Sequence, residues 1–126
     1  MGALLAQLLE GTLTSLAIFF LTLLFALPLG LLVARGRMAK SRAIATIVNL
    51  YIMIMRGTPL ILQLLFVYFA PYYVFKASTG RFSAVIIAFV INYAAYFAEI
   101  YRGGIQSIAT GQYEAASVLG FSKTQT

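Results

Sequence analysis

The feature of this sequence that most restricts its fold is a series of four long stretches without a charged side chain. They cover residues 11–34, 43–55, 57–75 and 82–98. A helix needs about 20 apolar residues to cross the roughly 30 Å hydrocarbon core of a bilayer. The first and third stretches are long enough, and the last is long enough if its helix continues to residue 108. The sequence therefore predicts an all-α integral membrane protein with three transmembrane helices, spanning about 11–34, 57–75 and 82–108.

The second stretch, residues 43–55, is too short to cross a bilayer alone. We interpret it as a helical approach at the membrane surface that leads into the span after Arg56. One long tilted helix that starts at Ala43 and is broken at Pro59 is the alternative, and hydropathy does not exclude it.

Composition excludes several classes of function. The chain is 62% hydrophobic and 10% charged, and its net charge is +6, whereas soluble domains are about 25% charged. Its cations flank apolar runs rather than forming the basic face of a nucleic-acid-binding domain, so we expect a lipid environment and no nucleic-acid partner. Because there is no Cys or His, we expect no metal site, and Ser-His and Cys-His nucleophiles are excluded. We expect no catalytic residue, since its three Glu residues lie at separate segment ends.

The distribution of cations predicts an orientation. Four Lys or Arg residues lie within residues 35–42, whereas the connection near Lys76 and Arg81 carries two. The positive-inside rule places the loop 35–42 in the cytoplasm. With three spans, the N-terminus then lies outside and the C-terminal tail lies inside.

Small and hydroxyl side chains follow one face of the first span: Thr12, Ser15, Thr22, Ala26 and Gly30. Ala26, Gly30 and Ala34 repeat the small-xxx-small spacing that lets two membrane helices approach closely. We therefore predict a helix-packing face, although an ordinary lipid-exposed helix has a similar composition.

The segment from Arg56 to Gln63 interrupts the apolar pattern. Arg56 is costly inside a bilayer unless it reaches the interface, water or a partner. Gly57 and Pro59, on either side of Thr58, break regular helix, and irregular backbone at membrane depth requires cover from protein or a water-filled cavity. The segment is thus either a boundary turn or part of a pathway wall, and Gln63 favours a polar neighbour.

A polar stripe runs along the last span. It consists of Asn92, Tyr96, Glu99, Gly103 and Gln106, which lie within about 60° of one another on a helix of 3.6 residues per turn. Arg102 is an immediate candidate partner for Glu99. Either this pair faces the inside of the bundle, or it is a helix-end pair among the lipid headgroups. For Asn92 and Tyr96 we favour an inward role.

The tail over residues 111–121 has the pattern of a short cytoplasmic docking helix. Gly111 can end the preceding helix or cap a new one, and Glu114 is predicted in the first turn, where the helix dipole favours an acid. Ala115 and Ala116 are small helix formers. Gly120 can adopt a positive φ and end the helix.

Three blocks in order resemble one known family. Glu114-Ala115-Ala116 followed by Gly120 is similar to the first half of the EAA motif in the membrane subunits of bacterial ABC importers. RGTPLILQLLFVYF (residues 56–69) and NYAAYFAEIYRGGIQSI (residues 92–108) resemble the polar amino acid permease branch, of the histidine, glutamine and arginine type. The spacing from residue 11 onward also agrees, so the resemblance covers nearly the whole chain.

The resemblance implies a multi-pass subunit of the bacterial plasma membrane with the type I permease fold. Its EAA segment would be a coupling helix that docks a cytoplasmic ATPase subunit. ATP and Mg would bind that partner, and this chain would hold no cofactor. A second permease chain, identical or different, would complete the pathway, and an external solute-binding protein would deliver an amino acid.

The resemblance also assigns residues. The coupling positions are Glu114, Ala115, Ala116 and Gly120. The core or pathway positions are Arg56, Gly57, Thr58, Pro59, Gln63, Asn92, Tyr96, Glu99 and Arg102.

This sequence departs from the family pattern at its end. The motif normally continues with Leu-Pro and two further spans, which do not follow here. We expect the chain to be the first part of a longer permease, residues 1–126 forming one partial transmembrane domain. A truncated membrane scaffold that binds a partner without transporting solute is the alternative.

Overall fold

A computed structural model of the chain describes residues 1–77 and 80–126. Within these residues the protein is helical and contains no strand. The five helices are α1 (Gly2–Arg37), α2 (Arg42–Gly57), α3 (Leu60–Phe75), α4 (Arg81–Gln106) and α5 (Thr110–Val118). The all-α prediction is therefore confirmed for the described chain.

Two helices, α1 and α4, are long and apolar enough to cross a membrane, and α2 with α3 makes a third candidate only if the two count as one broken span. They meet at a bend of 108°, so residues 42–75 do not form one straight helix. The helix bounds differ from the predicted spans: α1 extends nine residues before residue 11, and Gly57 closes α2 rather than opening α3.

The contact between α1 and α4 is made of small side chains. Ala26, Gly30 and Ala34 of α1 are buried against α4. A Cβ placed on Gly30 would lie 2.8 Å from the Cβ of Phe97 and 3.2 Å from the carbonyl oxygen of Ala94. The small-xxx-small face is therefore confirmed as a packing face, because only glycine allows the two backbones this close.

That face is shorter than predicted. Thr12 and Ser15 are exposed, and burial on α1 begins at Thr22. The helix runs through Pro28 without interruption. Thr12 and Ser15, which precede Thr22 in the chain, therefore lie outside the packed contact between α1 and α4.

A small apolar core joins α1, α2 and α4 around Ala34, Ile52, Ala95 and Ala98. Tyrosine hydroxyls reinforce it across helices. Tyr51 donates to the carbonyl of Ile91, and Tyr101 donates to the carbonyl of Leu27 at 3.3 Å. These two bonds connect α4 to α2 and to α1.

Large apolar side chains lie mostly on the outside. Leu24, Phe66 and Val74 keep 62%, 72% and 68% of their surface exposed. Such an apolar exterior suits hydrocarbon as the surrounding medium, because lipid tails solvate it as well as a protein interior does.

Candidate functional site

The candidate site begins with a backbone acceptor that the sequence leaves unpaired. In a continuous helix the carbonyl of Met55 would accept from the N–H of residue 59, but Pro59 has no N–H. Proline also disfavours the helical conformation at the residue before it, and Thr58 is extended, with φ −114° and ψ 147°. The helix therefore stops at Gly57 and resumes at Leu60.

Two side-chain amides satisfy the Met55 carbonyl. Nε2 of Gln63, one turn into α3, donates to it at 3.1 Å, and Nδ2 of Asn92 on α4 donates to it at 3.2 Å. The amides also bond to each other, since Asn92 Nδ2 lies 2.8 Å from Gln63 Oε1. We call Met55, Thr58, Gln63 and Asn92 the break network.

Thr58 completes the break network on the α2 side. Its hydroxyl donates to the carbonyl of Ile54 at 2.7 Å, and Gln63 Nε2 lies 2.5 Å from the Thr58 hydroxyl oxygen. Gln63 thus has the polar neighbours its position predicted. Asn92 is only 3% exposed, and it faces inward onto both halves of the broken segment.

Charged side chains lie about two to three turns beyond Asn92 along α4. Arg102 Nε lies 3.2 Å from Glu99 Oε1, its Nη2 contacts Oε2, and its Nη1 reaches Gln106 Oε1 at 3.2 Å. Arg56 Nη1 lies 3.7 Å from Glu99 Oε2. The pairing of Glu99 with Arg102 is confirmed, and Arg56 is a second partner that local spacing on α4 does not reveal.

The side chain of Arg56 contacts other residues of the protein but is also half exposed at its surface. Its guanidinium carbon lies 5.7 Å from the ring centroid of Tyr96, within the range of a cation–π contact. Even so, 48% of its side chain is exposed, compared with 18% for Glu99. Gly57 beside it has open space where a Cβ would point.

A cavity of about 550 Å³ opens beside this charged group. Its polar lining comprises Arg37, Asn49, Arg56, Tyr96, Glu99 and Arg102. The structure thus brings two of the candidates beside the break, Arg56 and Gln63, against the stripe on α4. Gly57, Thr58 and Pro59 are exposed, and Thr58 is linked to the stripe only through Gln63. Tyr96 keeps 38% of its surface exposed, so only Asn92 has the inward position that the sequence favours for both residues. Gly103 and Gln106 lie at the exposed end of that stripe.

The coupling candidates lie apart from this group, on α5. Two details of the tail differ from prediction. Gly111 neither ends α4 nor caps α5, because α4 ends at Gln106 and the N-cap of α5 is Ala109. Since α5 therefore starts at Thr110, Glu114 is its fifth residue and lies outside the first turn.

The end of α5 matches the prediction. Gly120 has φ +80°. Its N–H donates to the Ser117 carbonyl at 3.1 Å, and the Phe121 N–H donates to the Ala116 carbonyl at 3.0 Å, which together form a Schellman motif. Glu114 and Ala115 are exposed and Ala116 is half-buried.

Three residues that form the site or support it, Met55, Arg37 and Tyr51, are not predicted from the sequence. The unpaired carbonyl of Met55 has a clear signal, a proline four residues later. The sequence shows Arg37 only as one cation of the loop 35–42, and it shows Tyr51 only as one member of an apolar run. The role of Tyr51 depends on how α2 packs on α4, and that of Arg37 on where the end of α1 lies relative to both helices. No local sequence pattern specifies either arrangement.

Comparison with known proteins identifies the family. Residues 26–126 match the family described as the binding-protein-dependent transport system inner membrane component. A protein of Rickettsia conorii named a glutamine transport system permease is 40% identical over 114 residues, which are 90% of this chain and 52% of that protein. The arginine transport system permease of Bacillus subtilis is 38% identical over 112 residues, 89% of this chain and 51% of the relative.

A solved structure agrees with these relatives. The crystal structure of an amino acid ABC transporter with histidines superposes with a TM-score of 0.78 at 34% identity, covering 95% of this chain and 58% of that one. The chain spans about half the length of the curated relatives it matches. By the match of residues 26–126, the chain belongs to the family of inner membrane components of binding-protein-dependent transport systems.

Proposed function

We propose that this chain is part of the membrane subunit of an ATP-driven importer for polar amino acids in a bacterial plasma membrane. The observation that carries the proposal is the likeness to an amino acid ABC transporter over 95% of the chain. Relatives named for glutamine and arginine transport support the substrate class. In this arrangement α1, the broken α2–α3 segment and α4 cross the membrane three times, with the N-terminus outside and α5 in the cytoplasm.

The break network and the charged side chains beside it are the proposed core and pathway wall. Backbone that leaves the helical path inside a membrane must be covered by protein or line a water-filled cavity. Asn92 and Gln63 provide that cover from within the chain, and the cavity beside Arg56 and Glu99 provides a polar surface. A second permease chain, identical or different, would close the pathway from the other side.

The proposed ATPase-coupling element is α5. Support comes from its exposed Glu114 and Ala115 and from the Schellman motif at Gly120, which fixes where the helix ends. The partner ATPase would bind ATP and Mg, and this chain would bind no cofactor. An external solute-binding protein would supply the amino acid.

Uptake into proteoliposomes tests the transport function. The full membrane chain would be reconstituted with its ATPase and solute-binding protein and supplied with labelled glutamine, arginine and histidine. We expect accumulation of at least one of them that requires ATP inside and the binding protein outside. Tight ATPase attachment without accumulation of any amino acid would contradict transport and indicate a membrane scaffold.

Gly120→Val tests the coupling role of α5, with Gly111→Val as the matched control. A β-branched residue at φ +80° costs about 1–2 kcal/mol, whereas Gly111 has ordinary backbone and open space for a side chain. We expect Gly120→Val to weaken ATPase binding about tenfold in a detergent pull-down titration. Equal affinity for the two variants would contradict docking through this helix end.

A further inference from the structure

The cavity beside Glu99 holds more positive than negative charge. Three guanidinium groups, from Arg37, Arg56 and Arg102, line it together with the single carboxylate of Glu99. Glu99 makes two contacts with Arg102 and one longer contact, 3.7 Å, with Arg56. Its charge therefore neutralises one arginine, and the cavity keeps an excess of about two positive charges.

Arg37 has a buried hydrogen-bond donor without an acceptor among the described residues. Its Nε is buried, and within residues 1–77 and 80–126 no hydrogen-bond acceptor contacts it. A buried donor that lacks a partner is costly, and more so when it belongs to a charged group. Arg56 is also available, because half of its side chain is exposed and its contact with Glu99 is long.

The position of the cavity indicates its level in the membrane. Arg37 is the last residue of α1, at the point where the apolar helix gives way to the cationic loop 35–42. Charged residues at such an end lie among the lipid headgroups. Basic pockets between transmembrane helices at this level bind anionic headgroups.

The lining matches a phosphate group that carries an apolar chain. Guanidinium groups bind phosphate oxygens through paired N–H donors. Ile52 and Met53 form the apolar side of the same cavity, and Met53 is 61% exposed, so an attached acyl chain can leave along α2 into the bilayer. We propose that this cavity binds the phosphodiester headgroup of an anionic membrane lipid through Arg37 and Arg56.

The cavity shares Arg56, Glu99 and Arg102 with the proposed pathway wall, and the lipid is assigned to its end beside Arg37. The proposal needs the chain to lie in a membrane but does not depend on amino acid uptake. Lipid binding is measured on the membrane chain without ATPase, binding protein or substrate, so its failure is distinguishable from failure of transport.

The test is native mass spectrometry of the full membrane chain, in micelles that contain either phosphatidylglycerol or phosphatidylcholine. We expect the wild type to retain phosphatidylglycerol in preference to phosphatidylcholine. Removing one surface cation weakens attraction to an anionic lipid about fivefold, so Arg37→Gln with Arg56→Gln should weaken phosphatidylglycerol binding at least tenfold.

A charge-matched control separates the site from general attraction. Lys76→Gln with Arg81→Gln removes the same charge and should leave lipid retention unchanged, because Arg81, at the start of α4, lies about 30 Å along that helix from Arg102 at 1.5 Å per residue. Arg37→Lys with Arg56→Lys should retain part of it. If the double glutamine variant fails to fold, Arg37→Gln alone should weaken binding about fivefold.

Several results would overturn the proposal. Equal losses in the cavity and control variants would mean non-specific attraction, and full retention in the cavity variant would mean a different site. Displacement of phosphatidylglycerol by millimolar inorganic phosphate would assign the cavity to a free anion. Displacement by free glutamine or arginine would assign it to the solute.

Discussion

Helix α4 makes two contacts of opposite character. On one side it meets α1 through alanine and glycine, with Gly30 so close to Phe97 that no Cβ fits between them. On the other side it meets the α2–α3 break through Asn92, whose amide holds both the Met55 carbonyl and Gln63. Helix α4 thus packs closely against α1 on one side and forms side-chain hydrogen bonds to the α2–α3 break on the other.

These two kinds of contact differ in how readily they allow the helices to shift. Close-packed helices in lipid are held by van der Waals contact over a whole face, which is lost if either helix shifts. Side-chain hydrogen bonds inside membrane proteins average only about 0.6 kcal/mol each and can change partners. We therefore expect the α1–α4 pair to be the fixed frame of the bundle and the break network to be the part that can rearrange.

The largest effect should come from breaking the frame. Gly30→Val places side-chain atoms where even a Cβ meets Phe97 and the Ala94 backbone, and we expect about 3 kcal/mol of destabilisation from overpacking. Gly11→Val on the same helix is the control, because no atom lies within 4 Å of a Cβ there. Its effect should stay within about 0.5 kcal/mol.

Reversible unfolding in mixed micelles, followed by helical circular dichroism, measures both variants. Similar unfolding free energies for Gly30→Val and Gly11→Val would show that α1 and α4 are not in close contact.

A smaller effect is expected from the break network. Asn92→Ala removes one of two donors to the Met55 carbonyl and should cost about 1–2 kcal/mol, the range for a buried polar group that loses a partner. Asn49→Ala is the control, since the amide of Asn49 contacts only a weak acceptor, Met53 Sδ, at 3.6 Å among the described residues. It should cost less than about 0.5 kcal/mol.

A double-mutant cycle sharpens this prediction. Because Asn92 and Gln63 bond to each other and share one acceptor, the losses in Asn92→Ala and Gln63→Ala should be non-additive by at least about 0.5 kcal/mol. Additive losses would mean that the two amides act independently.

The smallest effect on stability should come from Glu99→Gln. The substitution keeps the shape of the side chain and removes the charge that faces Arg102 and Arg56. Partly exposed ion pairs contribute about 0–1 kcal/mol, so we expect an unfolding free energy within about 1 kcal/mol of wild type and a clearly altered rate of uptake. Unchanged uptake kinetics would restrict Glu99 to a helix-end ion pair.

The two contacts also differ in how well the sequence predicts them. The packing face of α1 is predictable because Ala26, Gly30 and Ala34 recur at the helical period, and the structure buries all three. Asn92 and Gln63 can be recognised as polar residues in apolar surroundings. Their common acceptor follows only after Pro59 is seen to remove the partner of the Met55 carbonyl.

Other features depend on contacts that no local pattern contains. The two partners of Glu99 come from different helices, and spacing along α4 reveals only Arg102. The sequence predicts a helix boundary at Gly111, whereas α5 begins at Thr110. Glycine permits a boundary there without requiring one.

The most direct test of this account is the initial rate of ATP-driven amino acid uptake, divided by the amount of folded, ATPase-bound chain. It compares Gln63→Leu in the break network with Gly30→Ala in the frame. We predict that Gln63→Leu lowers the rate per assembled complex at least about tenfold, a loss of about 1.4 kcal/mol or more. Gly30→Ala should reduce only the amount of assembled complex. Equal uptake rates per assembled complex for Gln63→Leu and the wild type would contradict a role for the break network in transport.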